Sequence, residues 1–307
     1  MARKAEATIR AVDREDQPEA LYVRGTPLAL NETVRLLHSR KSIRNWVRDK
    51  DIPQEILNTI LWTGVRASSS GQTYAIIEVR DPKKKKELAR YALKSRRGKF
   101  VQWWIQSAPL VLVFCVDLHR GNRYMQLTTG SPLPLGHLAL CLSIVEMSIC
   151  LQNIIIAATS FGIGSVVCGN IVLEARRAKE LLGLPDHVVP IIQLPLGYPR
   201  KIPSRFTVRL PVEAVVHKEE YREQSEEALF GAYADHHRAF LELMQGDISA
   251  SERLGHTFVE MMKRFKGKAT PENWSQLTTD VIYPREDLLA ASQEVWAAVQ
   301  EAGFVDE

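Results

Sequence analysis

Residues His137 to Phe161 read HLALCLSIVEMSICLQNIIIAATSF, a long and strongly apolar run interrupted only by a few polar groups. Its length would let it cross a bilayer. Glu146, Gln152 and Asn153 would each be costly in lipid, however, and neither an aromatic belt nor a basic flank brackets the run. The better reading is a core helix buried on nearly every side. A small soluble domain seldom hides such a helix alone, so the run also points to a subunit interface.

Apolar strands lie on both sides of that helix. Leu110 to Val116 is continuously apolar, Ser165 to Cys168 is a second buried strand, and His187 to Leu196 is a third that ends in Gly197-Tyr198-Pro199. Leu173 to Leu182 has helical spacing. Upstream, Asn31 is placed to cap a helix from Glu32 to Ser39, and Pro53 opens an amphipathic helix from Gln54 to Arg66 as a first-turn proline. The loop Ser68-Ser69-Ser70-Gly71 ends that helix. Thr73 to Val79 follows as a β-rich run, Asp81-Pro82 turns the chain, and Lys83 to Leu93 continues as a helix. Strands and helices alternate, but the spacings do not repeat as βαβ units would. The expected class is therefore α+β rather than a doubly wound sheet.

Residues 1–30 show no period and read as an arm, loose or wrapped on a partner. Residues 31–217 hold the motifs. Residues 218–307 turn polar and helical, with helices expected from Glu219 to Met244, Ser251 to Phe265 and Asp287 to Ala302, forming an extension that packs on the core or on a partner subunit.

The chain of 307 residues carries 40 basic and 36 acidic side chains, for a formal charge of +4 and a pI near 8.8. Charges so interspersed leave no nucleic-acid footprint and favour a local anionic ligand. Cys115, Cys141, Cys150 and Cys168 lie in apolar stretches without metal-binding spacing, and read as reduced core residues. The charged N-terminus lacks the apolar run of a signal peptide, as expected of a cytoplasmic chain. Gly162-Ile163-Gly164 follows a helix and precedes a strand, the reverse of the order a dinucleotide fingerprint requires. No GxSxG elbow is present to anchor a hydrolase triad. Lys83 to Lys86 is a solvated helix face before it is a phosphate site.

Two clusters have chemistry to offer. Arg40, Lys41 and Arg44, with Ser42 among them, sit at a helix-to-loop junction and could clamp a phosphate by charge-assisted hydrogen bonds; a solvated basic turn is the plainer alternative. The Ser68 to Gln72 loop could serve a ligand with many hydrogen-bonding edges, or be simply a turn.

The arrangement of these pieces from about Leu36 to Tyr221 resembles the nitroreductase superfamily, in particular its NADPH-dependent flavin and nitro reductase group. Arg40-Lys41-Ser42-Ile43-Arg44 before Ile52-Pro53 is similar to the family's basic opening. Ala67 to Ile77 is similar to its serine-rich loop, though shorter and without the usual asparagine. Glu146 through Gln152-Asn153 to Phe161-Gly162-Ile163-Gly164-Ser165, then Val167-Cys168-Gly169-Asn170, looks like its dimer-interface helix and the strand that follows. Leu184-Pro185 and Val208-Arg209-Leu210-Pro211 extend the match.

The resemblance implies a nitroreductase-like FMN-binding fold, with a mostly antiparallel central sheet flanked by helices, in an intertwined homodimer. It implies that Arg40, Lys41, Ser42 and Arg209 hold the FMN phosphate, and that Arg44 faces the pyrimidine edge and tunes the reduced ring. Ser69, Ser70 and Gln72 would contact the cofactor, and the backbone at Cys168 and Gly169 would meet flavin N5. A flavin carries the redox chemistry itself, so neither a catalytic side chain nor a metal is expected. The implied reaction is ping-pong, from NADPH or NADH to a nitroaromatic, quinone or flavin acceptor. The alternative is a flavin-binding or storage protein without turnover; a basic interaction module would leave the long helix and the Gly169 strand without a role. Arg253, Lys263, Arg264, Lys266 and Lys268 could bind a 2′-phosphate or form an exposed helix face.

Overall fold

A computed structural model describes residues 22–23, 26–27, 29–91, 94–95, 98–99, 101–132, 136–255, 271–282 and 285–304. Most of the expected arm, residues 92–93 of the expected helix from Lys83, and residues 256–265 of the helix expected from Ser251 lie outside them. The chain clusters into two compact units, one formed by Asn31–Lys201 with Leu289–Glu307, the other mainly by Ile202–Leu288.

The first unit is built on a four-stranded sheet of β1 (Tyr74–Val79), β2 (Leu110–Asp117), β3 (Gly164–Ser165) and β4 (Val188–Gly197), in the order β1-β2-β4-β3 with every pair antiparallel. Every residue of β2 is buried. The alternation of a strand sends Leu110, Leu112 and Phe114 to one face and Val111, Val113 and Cys115 to the other. Both faces must then be covered, which accounts for the continuously apolar run.

On the first face lie α1 (Gln54–Val65) and α2 (His137–Ser160), which bury Leu57, Ile60, Met147, Cys150, Leu151 and Ile154 with the strand residues. On the second lie Leu88, Tyr91, Trp104, Ile171, Ala178 and Leu184. A third cluster joins Val116, Leu118 and Val189 to Ala298, Val299 and Phe304, so the chain's last helix, Arg285–Glu301, returns to the sheet. Arg176 and Glu301 pair there. In the second unit, Ala234–Met244, Ala250–Arg253 and Leu277 enclose a separate small core around Phe240.

The expected helix at Glu32–Ser39 forms with Asn31 as its cap, the side-chain oxygen accepting from Val34 N at 2.9 Å. Several other boundaries differ from expectation. Pro53 is the N-cap of α1, with ψ 139°, rather than its first helical residue. The helix expected to run from Lys83 to Leu93 occupies Pro82–Leu88; Arg90 N and Tyr91 N make tight turns back to Glu87 O and Leu88 O, and Gln102 N takes the carbonyl of Ala89. Ser165 to Cys168 is strand only at Gly164–Ser165, and the helix expected at Leu173 begins as a 3-10 turn at Asn170–Glu174. The helix expected from Glu219 to Met244 starts only at Ser225, whose hydroxyl caps Ala228 N, and breaks at Tyr233 into Glu226–Ala232 and Ala234–Met244. His119–Thr129 is a helix that the periodicity did not disclose.

The largest departure concerns α2, which is not buried on nearly every side. Leu138, Leu142, Val145 and Ile149 are exposed, Leu138 to 72 %, and form a stripe at helical spacing. Cys141 lies on the same surface and is exposed, unlike the other three cysteines. Of the lysines at Lys83 to Lys86, Lys85 is buried: its Nζ donates to Ala108 O at 2.6 Å, pinning this helix to the entry of β2, and burial lowers its pKa.

Glu146, the charge inside the apolar helix, holds the serine loop. Its Oε1 accepts from Ser70 N (2.8 Å), Ser70 Oγ (2.9 Å) and Gly71 N (3.2 Å), and its Oε2 from Thr73 N (3.0 Å) and Thr73 Oγ1 (2.9 Å). Burial alone would raise its pKa, but hydrogen bonds from Thr73, Ser69 and Ser70 together outweigh that and bring it down to about 2.

Two predictions follow from this packing. Gly64 meets α2 so closely that a Cβ would stand 2.3 Å from Ile154 Cγ1. Gly64→Ala gains about 1 kcal/mol of helix propensity but forces overpacking worth about 1–3 kcal/mol. A lowered urea midpoint is expected, and a raised one would contradict the packing argument. For Glu146, the folded carboxyl is depressed from 4.5 to about 2, so its contribution is complete above pH 4.5 and lost as pH falls toward 2. Glu146→Gln turns an amide N–H2 toward one set of donors and is expected to cost roughly 1 kcal/mol at neutral pH. The gap between the two proteins' denaturant midpoints should narrow steadily as pH drops from 4.5 to 2; a constant gap would refute the carboxylate's role.

Candidate functional site

The basic segment leaves the Glu32–Ser39 helix at Arg40, which turns to extended geometry at φ −64°, ψ 126°. It then runs beside β3. Ser42 bridges Ser165 in parallel sense, and Ile43 N donates to Ser165 O at 2.9 Å. The approach depends on Gly164, since a Cβ there would come within 2.7 Å of Ile43 Cβ. Further on, Val47 N reaches Tyr198 O at 2.8 Å and Arg200 N reaches Asn45 O at 2.9 Å. The Gly197-Tyr198-Pro199 end of β4 thus secures the other side. Arg40, Lys41, Ser42 and Arg44 are half-buried.

Arg44 lies over the indole of Trp104, its Cζ 5.5 Å from the ring centroid. Trp104, in the short helix Trp103–Ser107, is buried, and its Nε1 donates to Cys168 Sγ at 3.3 Å. Trp46 Nε1 donates to Trp104 O at 2.8 Å. Cys168 is held again through its backbone, its N–H donating to Gln193 O (2.9 Å) and its carbonyl accepting from Gln193 N (2.8 Å). Gly169 follows, with nothing within 4 Å of where a Cβ would stand. Arg44, Trp104 and Cys168 are therefore joined in one network, with Gly169 next in the chain, while Ser42 lies against Ser165 of β3.

The serine loop is ordered by other means. Besides its bonds to Glu146, Ser69 Oγ accepts from Gln72 N at 2.7 Å, and Gln72 Nε2 donates to Val65 O at 3.1 Å. Gln72 adopts φ 48°, and its carbonyl accepts from Arg120 Nη2. Ser70 spends its hydroxyl proton on Glu146, so toward a ligand it offers lone pairs. Arg209 belongs to the second unit, where its Nη1 donates to Val208 O at 3.0 Å and its charge bears on His236. Burial lowers the pKa of His236, Asp235 pulls it up and Arg209 pushes it further down. Arg253 is committed to Glu242 at 2.9 Å, which removes it from the candidates for a 2′-phosphate; the other four of that group lie outside the described residues.

Sequence reasoning missed Trp104 and Gln193. The first was legible only as one of two adjacent tryptophans before an apolar strand. The second is a polar residue within β4, fully buried, whose side-chain amide atoms meet no partner among the described residues.

The donor set fits a flavin mononucleotide. Two cations and a hydroxyl in one extended segment suit a phosphate, a further guanidinium stands on the same segment, and open space in front of Gly169 leaves room for a flat ring to approach backbone. Among the described residues, no group of His, Cys, Asp and Glu could hold a metal ion.

Comparison with known proteins agrees. The nitroreductase family model matches residues 141–198, from within α2 to just past the end of β4. An FMN reductase [NAD(P)H] of Bacillus subtilis is 32% identical over 257 residues, 80% of this chain and 89% of that protein. An NADPH-flavin oxidoreductase of Vibrio harveyi is 33% identical over 196 residues, 63% of this chain and 76% of that protein. The solved NADPH:FMN oxidoreductase of Vibrio harveyi complexed with NAD+ superposes with a TM-score of 0.66 at 25% identity, over 89% of this chain and 98% of that one. With this identity sustained over most of a relative's length, on a fold and a donor set that agree, the chain belongs to the nitroreductase family.

Proposed function

We propose that Arg40, Lys41 and Ser42 hold the phosphate of FMN and that Arg44 and the Cys168–Gly169 turn stand against its ring, in a chain that is a flavin-dependent NAD(P)H oxidoreductase. The observation that carries this reading is the linked set Arg44, Trp104 and Cys168, with Gly169 following Cys168 and Ser42 held against Ser165 of β3. When bound, FMN supplies the redox chemistry, accepting a hydride from NAD(P)H and delivering electrons to a second substrate. The chain's own residues bind, orient and bias. Arg40 and Lys41 neutralise the phosphate, and Ser42 can donate a hydrogen bond to it. With FMN bound, Arg44 would set a positive charge beside the ring, which would favour its reduced form. Gly169 offers backbone with no side chain in the way.

Donor and acceptor are small molecules that use the site in turn, with nitroaromatics, quinones or free flavin as acceptors. Ser69, Ser70 and Gln72 contribute hydrogen-bonding edges from the loop that Glu146 fixes. The working form is a cytoplasmic homodimer whose interface includes the exposed stripe of α2, Leu138, Leu142, Val145 and Ile149, an apolar surface of the kind that marks association.

The test is an absorbance spectrum of the purified protein, then anaerobic addition of NADPH or NADH. A flavin spectrum that either donor bleaches is the expected result; a yellow protein that neither bleaches would mean a storage role, and a colourless protein that takes up no FMN would overturn the assignment. Arg40→Ala with Lys41→Ala should weaken FMN binding by roughly a hundredfold, since each lost charge-assisted bond is worth about 1.5 kcal/mol. Val145→Asp should move the protein to the monomer position in size-exclusion chromatography.

A further inference from the structure

Trp104 has contacts that none of the site residues expected from the sequence would explain. Its ring lies beneath Arg44, with Cζ 5.5 Å from the centroid, its Nε1 donates to Cys168 Sγ at 3.3 Å, and its carbonyl accepts from Trp46 Nε1 at 2.8 Å. It is buried, and its ring forms a T-shaped pair with that of Trp103, centroids 5.9 Å apart. Burial alone would ask only that the indole N–H find some partner; a cation over the ring face and a sulfur of the 168–169 turn at its N–H are more than core filling requires. We propose that Trp104 is a positioning residue that sets the Arg44 guanidinium and the Cys168–Gly169 turn in register with each other, so that charge and backbone meet the flavin ring together; this rests on the flavin reading above.

The chemistry of each contact supports the role. An indole face is the strongest aromatic partner for a guanidinium, and it holds that cation in one plane without neutralising it, as a carboxylate would. The indole N–H is a donor only, and a cysteine sulfur is a weak acceptor, so the bond orients the 168–169 segment while the two backbone bonds to Gln193 fix its height on β4. The short helix at Trp103–Ser107 precedes β2 directly, and this places the coupling element on the most deeply buried strand of the sheet.

Three variants separate the contacts. Trp104→Phe keeps an aromatic face for Arg44 and removes the N–H; Cys168→Ala removes the acceptor and leaves the indole; Trp104→Leu removes both contacts. The readouts are the dissociation constants of oxidised and reduced FMN, the single-turnover rate of reduction by NAD(P)H, and the thermal midpoint. In Trp104→Leu the preference for reduced over oxidised FMN should fall about fivefold, the size expected for loss of a cation–π contact to a half-exposed guanidinium. Trp104→Phe should keep that preference and slow reduction, and Cys168→Ala should slow it by a similar factor. The double variant Trp104→Phe, Cys168→Ala should be no slower than either single one, because both break the same bond.

A purely structural tryptophan predicts the opposite pattern: lowered thermal midpoints with an unchanged redox preference and multiplicative rate losses. Either result overturns the proposal. Should Trp104→Leu fail to fold, the Trp104→Phe and Cys168→Ala cycle decides alone. If the unaltered protein binds no FMN, or binds it and accepts no electrons from either donor, the flavin reading itself fails, which is a different outcome from normal turnover that the Trp104 variants leave untouched.

Discussion

The whole first unit depends on a strand buried on both of its faces. Leu110–Asp117 exposes no residue, sits second in the sheet and pairs along its full length with Val188–Gly197. In an antiparallel sheet one face is often left to water; here neither can be. The first face requires the two long helices, and the second requires the short helices and the tryptophans. Because the covering elements are obligatory, the segments that cross the sheet end have little freedom, and it is there that Ser42, Arg44, Cys168 and Gly169 collect. The register is fixed by apolar side chains, and the polar network is laid over a frame already set.

Glu146 shows the same economy from the other direction. A carboxylate in an apolar helix is unfavourable unless donors meet it, and five hydrogen bonds from Ser70, Gly71 and Thr73 do so. The loop in turn lacks regular backbone partners and needs an anchor. Each removes the other's penalty, so the only acidic residue in the long helix and the serine-rich loop are one feature of the fold. Arg120 completes the arrangement by reaching Gln72 O and Tyr74 O while paired with Asp117.

Much of this was legible in the sequence for reasons that are local. The α+β class, the strand at Leu110, the capped helix from Glu32 and the Arg40 to Arg44 segment all follow from period, capping and charge, which act within a few residues. The family resemblance placed Cys168 and Gly169 beside that segment. What escaped was set by tertiary contact. The helix from Lys83 ends early because Gln102, distant in sequence, captures the carbonyl of Ala89. Lys85 looked like one of four equivalent lysines, yet carbonyls at the mouth of β2 accept its ammonium. Trp104 shows in the sequence only as one of two adjacent tryptophans, since its partners Arg44 and Cys168 come from segments distant in the chain.

The long helix was expected to be covered almost all round, and the reason that a single chain leaves it half bare is informative. Its sheet-facing residues, Met147, Cys150 and Ile154, alternate with an outward stripe of aliphatic side chains that no part of the same unit is described as covering. An apolar helix with two apolar faces has two surfaces to bury. A second copy related by a twofold axis covers such a stripe with itself, which a heterologous partner would have to match by coincidence. Glu146 stands on this helix between the two faces, with the serine loop hung on its carboxylate. In the proposed dimer, association would fix the helix, and the helix would fix the loop, so assembly and the completion of the flavin site become one physical event rather than two.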